Sequence, residues 1–298
     1  MSRIRGHRDR QEELHAFLWE AGNEADLLRP DGVAERLRIL DALDSVMGDA
    51  IGWTAGSAFG IEVHLAARLR KVRRQLEWAN EEIFDELRGE IVREGHSRRL
   101  WQMLRGGEGG EEPQGLRFDV RDEIASGVLR LGEPGEPERE RSCEMMAYQP
   151  TPVRHVLDLI ATSRLAHEDV LVDLGSGLGH VPLLVSILAG IRTLGVELEP
   201  AYVACARECA ASLGIGRARF IAEDARAADL ASGTVYYLYT PFRGTILEEV
   251  LCRLRRESAK RQIRICSLGP CTRELEAEPW LELRAPAEAG RITLFVSR

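Results

Sequence analysis

Val170-Leu171-Val172-Asp173-Leu174-Gly175-Ser176-Gly177-Leu178-Gly179-His180-Val181-Pro182 is the stretch whose reading decides the fold. It starts as an apolar run, the pattern of a strand buried on both faces. It then turns through three glycines and enters an apolar helix from Val181 to Leu188. Strand, glycine turn and helix is the unit with which a doubly wound sheet brings backbone close to a nucleotide-like ligand. The bend is expected to present its amides to that ligand. A second strand, Thr193 to Glu197, ends in an acid 22 residues after Gly175. That is close to the spacing at which a carboxylate reaches two ribose hydroxyls.

The residues around the turn narrow the ligand. A dinucleotide fingerprint wants glycine at position 180, where this chain has His180. Asp173, just ahead of the glycines, would repel a pyrophosphate. It suits a ligand with an ammonium, a sulfonium and no phosphate, such as S-adenosylmethionine.

The rest of the chain sets limits. Its 298 residues suit one large domain and a smaller one. The longest apolar stretch, Val181 to Ile191, is broken by Pro182, Ser186 and Gly190, so no membrane span is expected. The charged start, Met1 to Arg10, has no apolar segment behind it, which excludes a secretory signal and makes a cytoplasmic protein the expectation. The six cysteines form no CxxC pair and read as reduced thiols; no metal site is expected. Residues 1–150 hold 22 basic and 30 acidic side chains, and residues 151–298 hold 18 of each. An acidic balance argues against nucleic acid as the main partner. The basic run Arg68–Arg74 lies in a helical pattern and reads as a solvated face.

Residues 1–105 read as a helical domain: a cap, a substrate-selecting surface or a homo-oligomer contact. Gln11–Glu20 is a short amphipathic piece, and a helix opens at Asp31-Gly32 and runs to Met47. Leu65, Leu69, Val72, Leu76, Ile83, Leu87 and Ile91 mark one helix of about 30 residues with one apolar stripe. His64, His96, Trp53, Trp78 and Trp101 have no chemical constellation around them and read as structural. Residues 106–147 have linker composition, with Gly106–Pro113 and Gly132–Pro137 flanking a short helix, Asp119 to Leu131.

Residues 148–298 alternate. A helix at 152–163 has Pro152 in its first turn and Thr151 as its cap. Strands are expected at 169–174, 192–197, 217–221, 234–239, 262–267, 280–284 and 291–297, with helices at 179–189, 199–213 and 243–259. The fold class is therefore α/β, a doubly wound, mainly parallel seven-stranded sheet with a terminal antiparallel pair.

This half resembles the class I, seven-β-strand S-adenosylmethionine-dependent methyltransferases. The resemblance rests on Val170–Gly179, Gly195-Val196-Glu197, Ala222-Glu223-Asp224-Ala225 and the strand Thr234–Thr240. It implies S-adenosylmethionine as cofactor, with Asp173, Gly175, Ser176 and Gly177 against its methionyl part and Glu197 bridging the ribose hydroxyls. Asp224, followed by Ala225, would accept from the adenine amino group. Tyr148-Gln149-Pro150-Thr151-Pro152 ahead of the glycine turn is also similar to non-SET protein-lysine methyltransferases, which use such a lead-in to close over the methionyl carboxylate. By that resemblance Thr151 donates to the carboxylate; a plain helix cap is the other reading. The chain has Tyr239-Thr240-Pro241-Phe242 where the histone-lysine enzymes have an Asn-rich turn ending in Phe, which counts against lysine.

Tyr236–Phe242 ends a strand beside the switch point of the sheet. Side chains alternate along a strand, so Tyr237 and Tyr239 share one face and Tyr236 takes the other. Tyr239 and Phe242 are the candidates for the wall of a methyl-transfer channel, where aromatic faces attract cations. Tyr148, His180 and Glu144 are candidate bases by position, Tyr148 first. The expected function is methyl transfer to an amine or other nucleophile of a protein or small molecule. A non-catalytic S-adenosylmethionine-binding module acting through the helical domain is the alternative; a nicotinamide oxidoreductase is disfavoured by Asp173 and His180.

Overall fold

The computed structural model describes residues 29–51, 63–106, 119–136, 138–139, 142–284 and 290–298. The expected helix Gln11–Glu20, Trp53 and nearly all of the Gly106–Pro113 linker lie outside them. Contacts divide the described chain into two compact units, residues 29–86 with 119–127, and residues 87–106 with 128–284 and 290–298.

The smaller unit is helical. After a 3-10 turn, Pro30–Gly32, come α1 (Val33–Ile51) and most of α2 (Val63–Glu94). Ile39 and Leu43 of α1 pack with Leu69 and Leu76 of α2. Within the basic run, Arg68, Arg70, Lys71 and Arg74 are exposed, and Arg73 pairs with Asp44 (2.5 Å) and Glu77 (2.6 Å). Trp78 is 63 % exposed, so it does not serve the core as expected.

The larger unit takes the end of α2, then α3 (Arg98–Gly106), the end of α4 (Val120–Leu129) and the α/β half. The division of contacts falls inside α2, whose apolar stripe stays buried on through Leu87 and Ile91.

The α/β half runs α5 (Val153–Ser163), β1 (Val170–Leu174), α6 (His180–Ala189), β2 (Arg192–Glu197), α7 (Pro200–Ser212), β3 (Ala218–Ala222) and β4 (Val235–Leu238). It continues with α8 (Gly244–Ser258), β5 (Arg264–Ser267), α9 (Thr272–Glu276), β6 (Leu281–Leu283) and β7 (Thr293–Ser297). The sheet order is β3-β2-β1-β4-β5-β7-β6. β1 to β5 pair in parallel, and β7 lies antiparallel between β5 and β6. All five residues of β1 are buried, as a strand covered on both faces must be. On one face Val170, Val172, Leu174, Tyr236 and Leu238 join Ile246, Leu247, Val250, Leu251 and Leu254 of α8. By alternation Asp173 and Tyr237 point to the other face.

Two local expectations fail. Thr151 does not hold the cap position of α5: Pro152 does, and its ring has no acceptor with which to cap. Pro152 fits there because its backbone is extended (φ −56, ψ 142) and the position needs no N–H. The five-residue α9 was not expected; one turn is too short to leave a periodic signal.

Candidate functional site

Strand order reverses between β1 and β4, and open α/β sheets bind ligands at such a point, beyond the carboxyl ends of the strands. A cavity of about 540 Å³ lies there. Its lining includes Asp173 near the end of β1 with Gly175 and Ser176 after it, Glu197 at the end of β2, Asp224 and Ala225 after β3, and Tyr239 and Phe242 after β4. Tyr148 and Thr151 of the lead-in line it too. Of the sequence-selected residues Gly177 and the candidate base Glu144 are not on the wall; each is next in the chain to a residue that is.

Gly175 and Gly177 have φ of +86° and +53°, conformations that disfavour side chains. A Cβ on Gly175 would sit 2.3 Å from Pro241, and one on Gly177 2.2 Å from the Tyr148 ring. The glycines therefore let two walls of the cavity close in. Their amides do not face a ligand, contrary to expectation. Gly175 and Ser176 donate to the Val196 carbonyl (2.8 and 3.1 Å), Gly177 to Glu197 Oε2 (2.8 Å) and Gly179 to the Ser176 carbonyl (2.9 Å). What the turn offers the cavity is side chains: Asp173 and the buried Ser176 hydroxyl, which has no hydrogen-bond partner.

Asp173 is 4 % exposed. Burial first, and the nearby Glu197 second, push its carboxyl up to about 8. Glu197 also accepts from the Glu199 amide through Oε1 (3.0 Å). Each of its oxygens thus takes one backbone donor. A carboxylate has about four acceptor sites, so two remain.

Asp224 is engaged. Arg226 binds it through the amide (2.8 Å), Nε (3.0 Å) and Nη2 (2.7 Å), and the guanidinium holds the carboxyl below its usual range. This leaves little of it for an adenine amino group.

The lead-in is fixed to the turn after β4. Met145 bridges Phe242, the Met146 amide donates to the Pro241 carbonyl (3.0 Å) and the Arg243 amide to the Glu144 carbonyl (2.9 Å). The Glu144 carboxylate accepts from the Thr245 hydroxyl (2.8 Å) and from the Thr245 and Ile246 amides (3.3 and 3.2 Å). It is a cap for α8, not a base. Within the turn Thr240 has φ +42°, held by its hydroxyl, which donates to the Leu268 carbonyl (3.0 Å) and accepts from the Cys271 amide (3.2 Å). Phe242 is 5 % exposed and belongs to the core as well as to the wall.

Tyr148 covers the glycine turn. Its hydroxyl lies 3.1 Å from His180 Nδ1, and its ring meets Tyr202 at 5.3 Å, tilted by 58°. Burial first, then Tyr202, raise the Tyr148 phenol above its ordinary pKa, with Glu197 and Asp173 adding to the effect. Burial lowers His180 to about 4. Tyr148 therefore stays protonated and His180 neutral, and neither suits the role of a strong base.

Sequence reading passed over Tyr202, Glu199 and Arg139, all on the cavity wall. Glu199 accepts from the amides of Glu138 (3.0 Å), Arg139 (3.1 Å) and Ala201 (3.4 Å), tying the linker to the start of α7. The signal for Tyr202 was its place in the first turn of the helix that follows Glu197. For Arg139 there was none.

No family model and no curated protein matches the chain. Among solved structures it is similar to an RNA methyltransferase from Salinibacter ruber with S-adenosyl-L-homocysteine, at 23 % identity over 50 % of this chain and 92 % of that one, TM-score 0.40. It is similar to the Escherichia coli putative methyltransferase yhhF at 16 % identity over 55 % and 95 %, TM-score 0.38. Against MtNAS in complex with MTA and tNA the match covers 97 % of both chains at 14 % identity, TM-score 0.39. Taken from the strand order itself, with β7 antiparallel between β5 and β6, the fold is that of the class I, seven-β-strand methyltransferases.

Proposed function

We propose that the larger unit binds S-adenosylmethionine and directs its methyl group to an amine or another nucleophile of a protein or small molecule. The observation that carries this reading is the meeting of Asp173 and Glu197 in one cavity at the switch point. The cavity size falls in the roughly 300–1,000 Å³ range of small-molecule sites. The residues fit the group. Glu197 keeps two free acceptor sites for two ribose hydroxyls, the orphaned Ser176 hydroxyl has a partner to gain, and Asp173 gains an ammonium. Glu197, Glu199 and Glu223 line the cavity against Arg139, and Asp173 ionises beside a cation, so the cavity favours a cation and opposes a pyrophosphate.

Bound there, S-adenosylmethionine supplies an electrophilic methyl on a sulfonium. The chain contributes position. Asp173 would hold the methionyl ammonium and Glu197 the ribose, Thr151 would donate to the carboxylate, and Tyr148 would shut out water above the glycine turn. Tyr239 and Phe242 wall the approach of the nucleophile, whose alignment is the main source of rate. With Tyr148 held protonated and His180 neutral, an amine acceptor arrives already deprotonated, having lost its proton to solvent.

The same lack of a strong base at Tyr148, His180 and Glu144 favours a second reading, a binding module without turnover. Incubation with methyl-labelled S-adenosylmethionine and a panel of amines, imidazoles, thiols and basic peptides separates the two. Label in any acceptor supports transfer. Saturable binding with no labelled acceptor supports the module, and no binding removes both.

A further inference from the structure

Tyr237 is 1 % exposed, and its enclosed hydroxyl has the Thr151 side chain of the lead-in as a hydrogen-bonding neighbour, yet no hydrogen bond of good geometry satisfies it. Its neighbour on the opposite face shows the usual arrangement: the Tyr236 hydroxyl donates to the Leu230 carbonyl (2.6 Å) and lies 3.1 Å from that of Gly233. A buried hydroxyl without a partner costs stability, and such groups are rare enough to need a reason. The register supplies one. Tyr237 is paired with Asp173 across β4 and β1, strands that lie about 4.8 Å apart, and both side chains take the same face. Burial, and after it the charge of Asp173, hold the phenol well above its ordinary pKa, so the O–H is retained as a donor. Without a ligand beside it, Asp173 keeps its own proton at neutral pH and needs no donor. An ammonium beside it expels that proton and creates a carboxylate that does.

We propose that Tyr237 is a positioning residue whose hydroxyl is held for the ligated state, in which it donates to Asp173 and sets that carboxylate against the ligand's ammonium. This rests on the S-adenosylmethionine reading above. The titratable groups facing Asp173 are Glu197 from β2, Tyr237 from β4 and Tyr148 from the lead-in.

The test is Tyr237→Phe, titrated calorimetrically with S-adenosylmethionine from pH 6 to 9. Wild-type affinity should rise with pH toward about 8, where Asp173 no longer has a proton to expel, and then level. The variant should bind about tenfold more weakly, the loss expected for one hydrogen bond to a charged group. The bend near pH 8 should stay in place, because it belongs to the unliganded protein, in which Tyr237 gives Asp173 no hydrogen bond, and the Tm of the unliganded protein should stay level or rise. Unchanged affinity would overturn the proposal. So would a loss of affinity that comes with a lower Tm and a displaced bend. A double-mutant cycle keeps the test decisive if Tm falls for another reason: in an Asp173→Asn background the Tyr237→Phe effect on affinity should vanish, and its persistence would contradict the proposal. Wild-type protein that binds no S-adenosylmethionine overturns the cofactor reading itself, which is distinct from wild-type binding left untouched by Tyr237→Phe.

Discussion

Asp173 is a carboxyl that the empty fold keeps from ionising. An unfolded aspartate titrates near 3.9, and Asp173 in the fold near 8. Its contribution to stability is therefore full below about pH 4 and is lost as pH rises toward 8, because the unfolded chain sheds the proton first. The Tm of the unliganded protein should fall across pH 5 to 8 on this account, and Asp173→Asn should flatten that part of the slope in a calorimetric scan. At Gly177 the constraint is steric. Gly177→Ala puts a methyl into the Tyr148 ring at φ +53°. Left-handed backbone alone costs about 1–2 kcal/mol for a side-chain-bearing residue, so a lower Tm and weaker ligand binding are expected together. Asp173 and Glu197 were legible because each sits at a fixed offset from a strand end and a glycine turn. The grip of Arg226 on Asp224, and the amides spent inside the turn, were not. No residue pattern says which partner a polar group has already taken.

At the scale of elements, strands read best. The parallel ones are continuous apolar runs, and β1 to β5 begin and end within two residues of expectation. Helix ends read worse, because a cap can come from anywhere. α8 is capped by Glu144, 101 positions away from Thr245, and Glu199 accepts from Glu138, 61 positions away. Thr151, two residues ahead of α5, is displaced from the cap position by Pro152. These two acids pin the lead-in and the end of the linker beside the cavity. Glu144→Ala and Glu199→Ala should each speed hydrogen exchange locally. The expected sites are the Thr245 and Ile246 amides for the first and the Glu138 and Arg139 amides for the second, read by exchange mass spectrometry. Both should also weaken S-adenosylmethionine binding, Glu144 from outside the cavity wall and Glu199 from the wall itself. Exchange at wild-type rates would mean that these carboxylates hold nothing in place.

For the whole molecule, glycine-rich composition proposes a boundary near residue 106, while the contacts of the described residues divide inside α2, near residue 86. Composition reports flexibility, whereas the division follows where an apolar stripe is buried, and the stripe of α2 does not stop at the boundary. The alternation of strands and helices, by contrast, was enough to give the fold class. Among the described residues no helix is long and apolar enough to cross a membrane. A ligand that binds only the folded chain stabilises all of it by mass action, about 2.7 kcal/mol at a hundredfold excess over Kd. S-adenosylmethionine at that excess should raise Tm by several degrees, and NAD should not. The most direct measurement titrates S-adenosylmethionine into wild-type protein, Asp173→Asn and Glu197→Gln. The account predicts saturable one-to-one binding by wild type and a loss of about tenfold or more in each variant; no wild-type binding, or equal binding by all three, would contradict it.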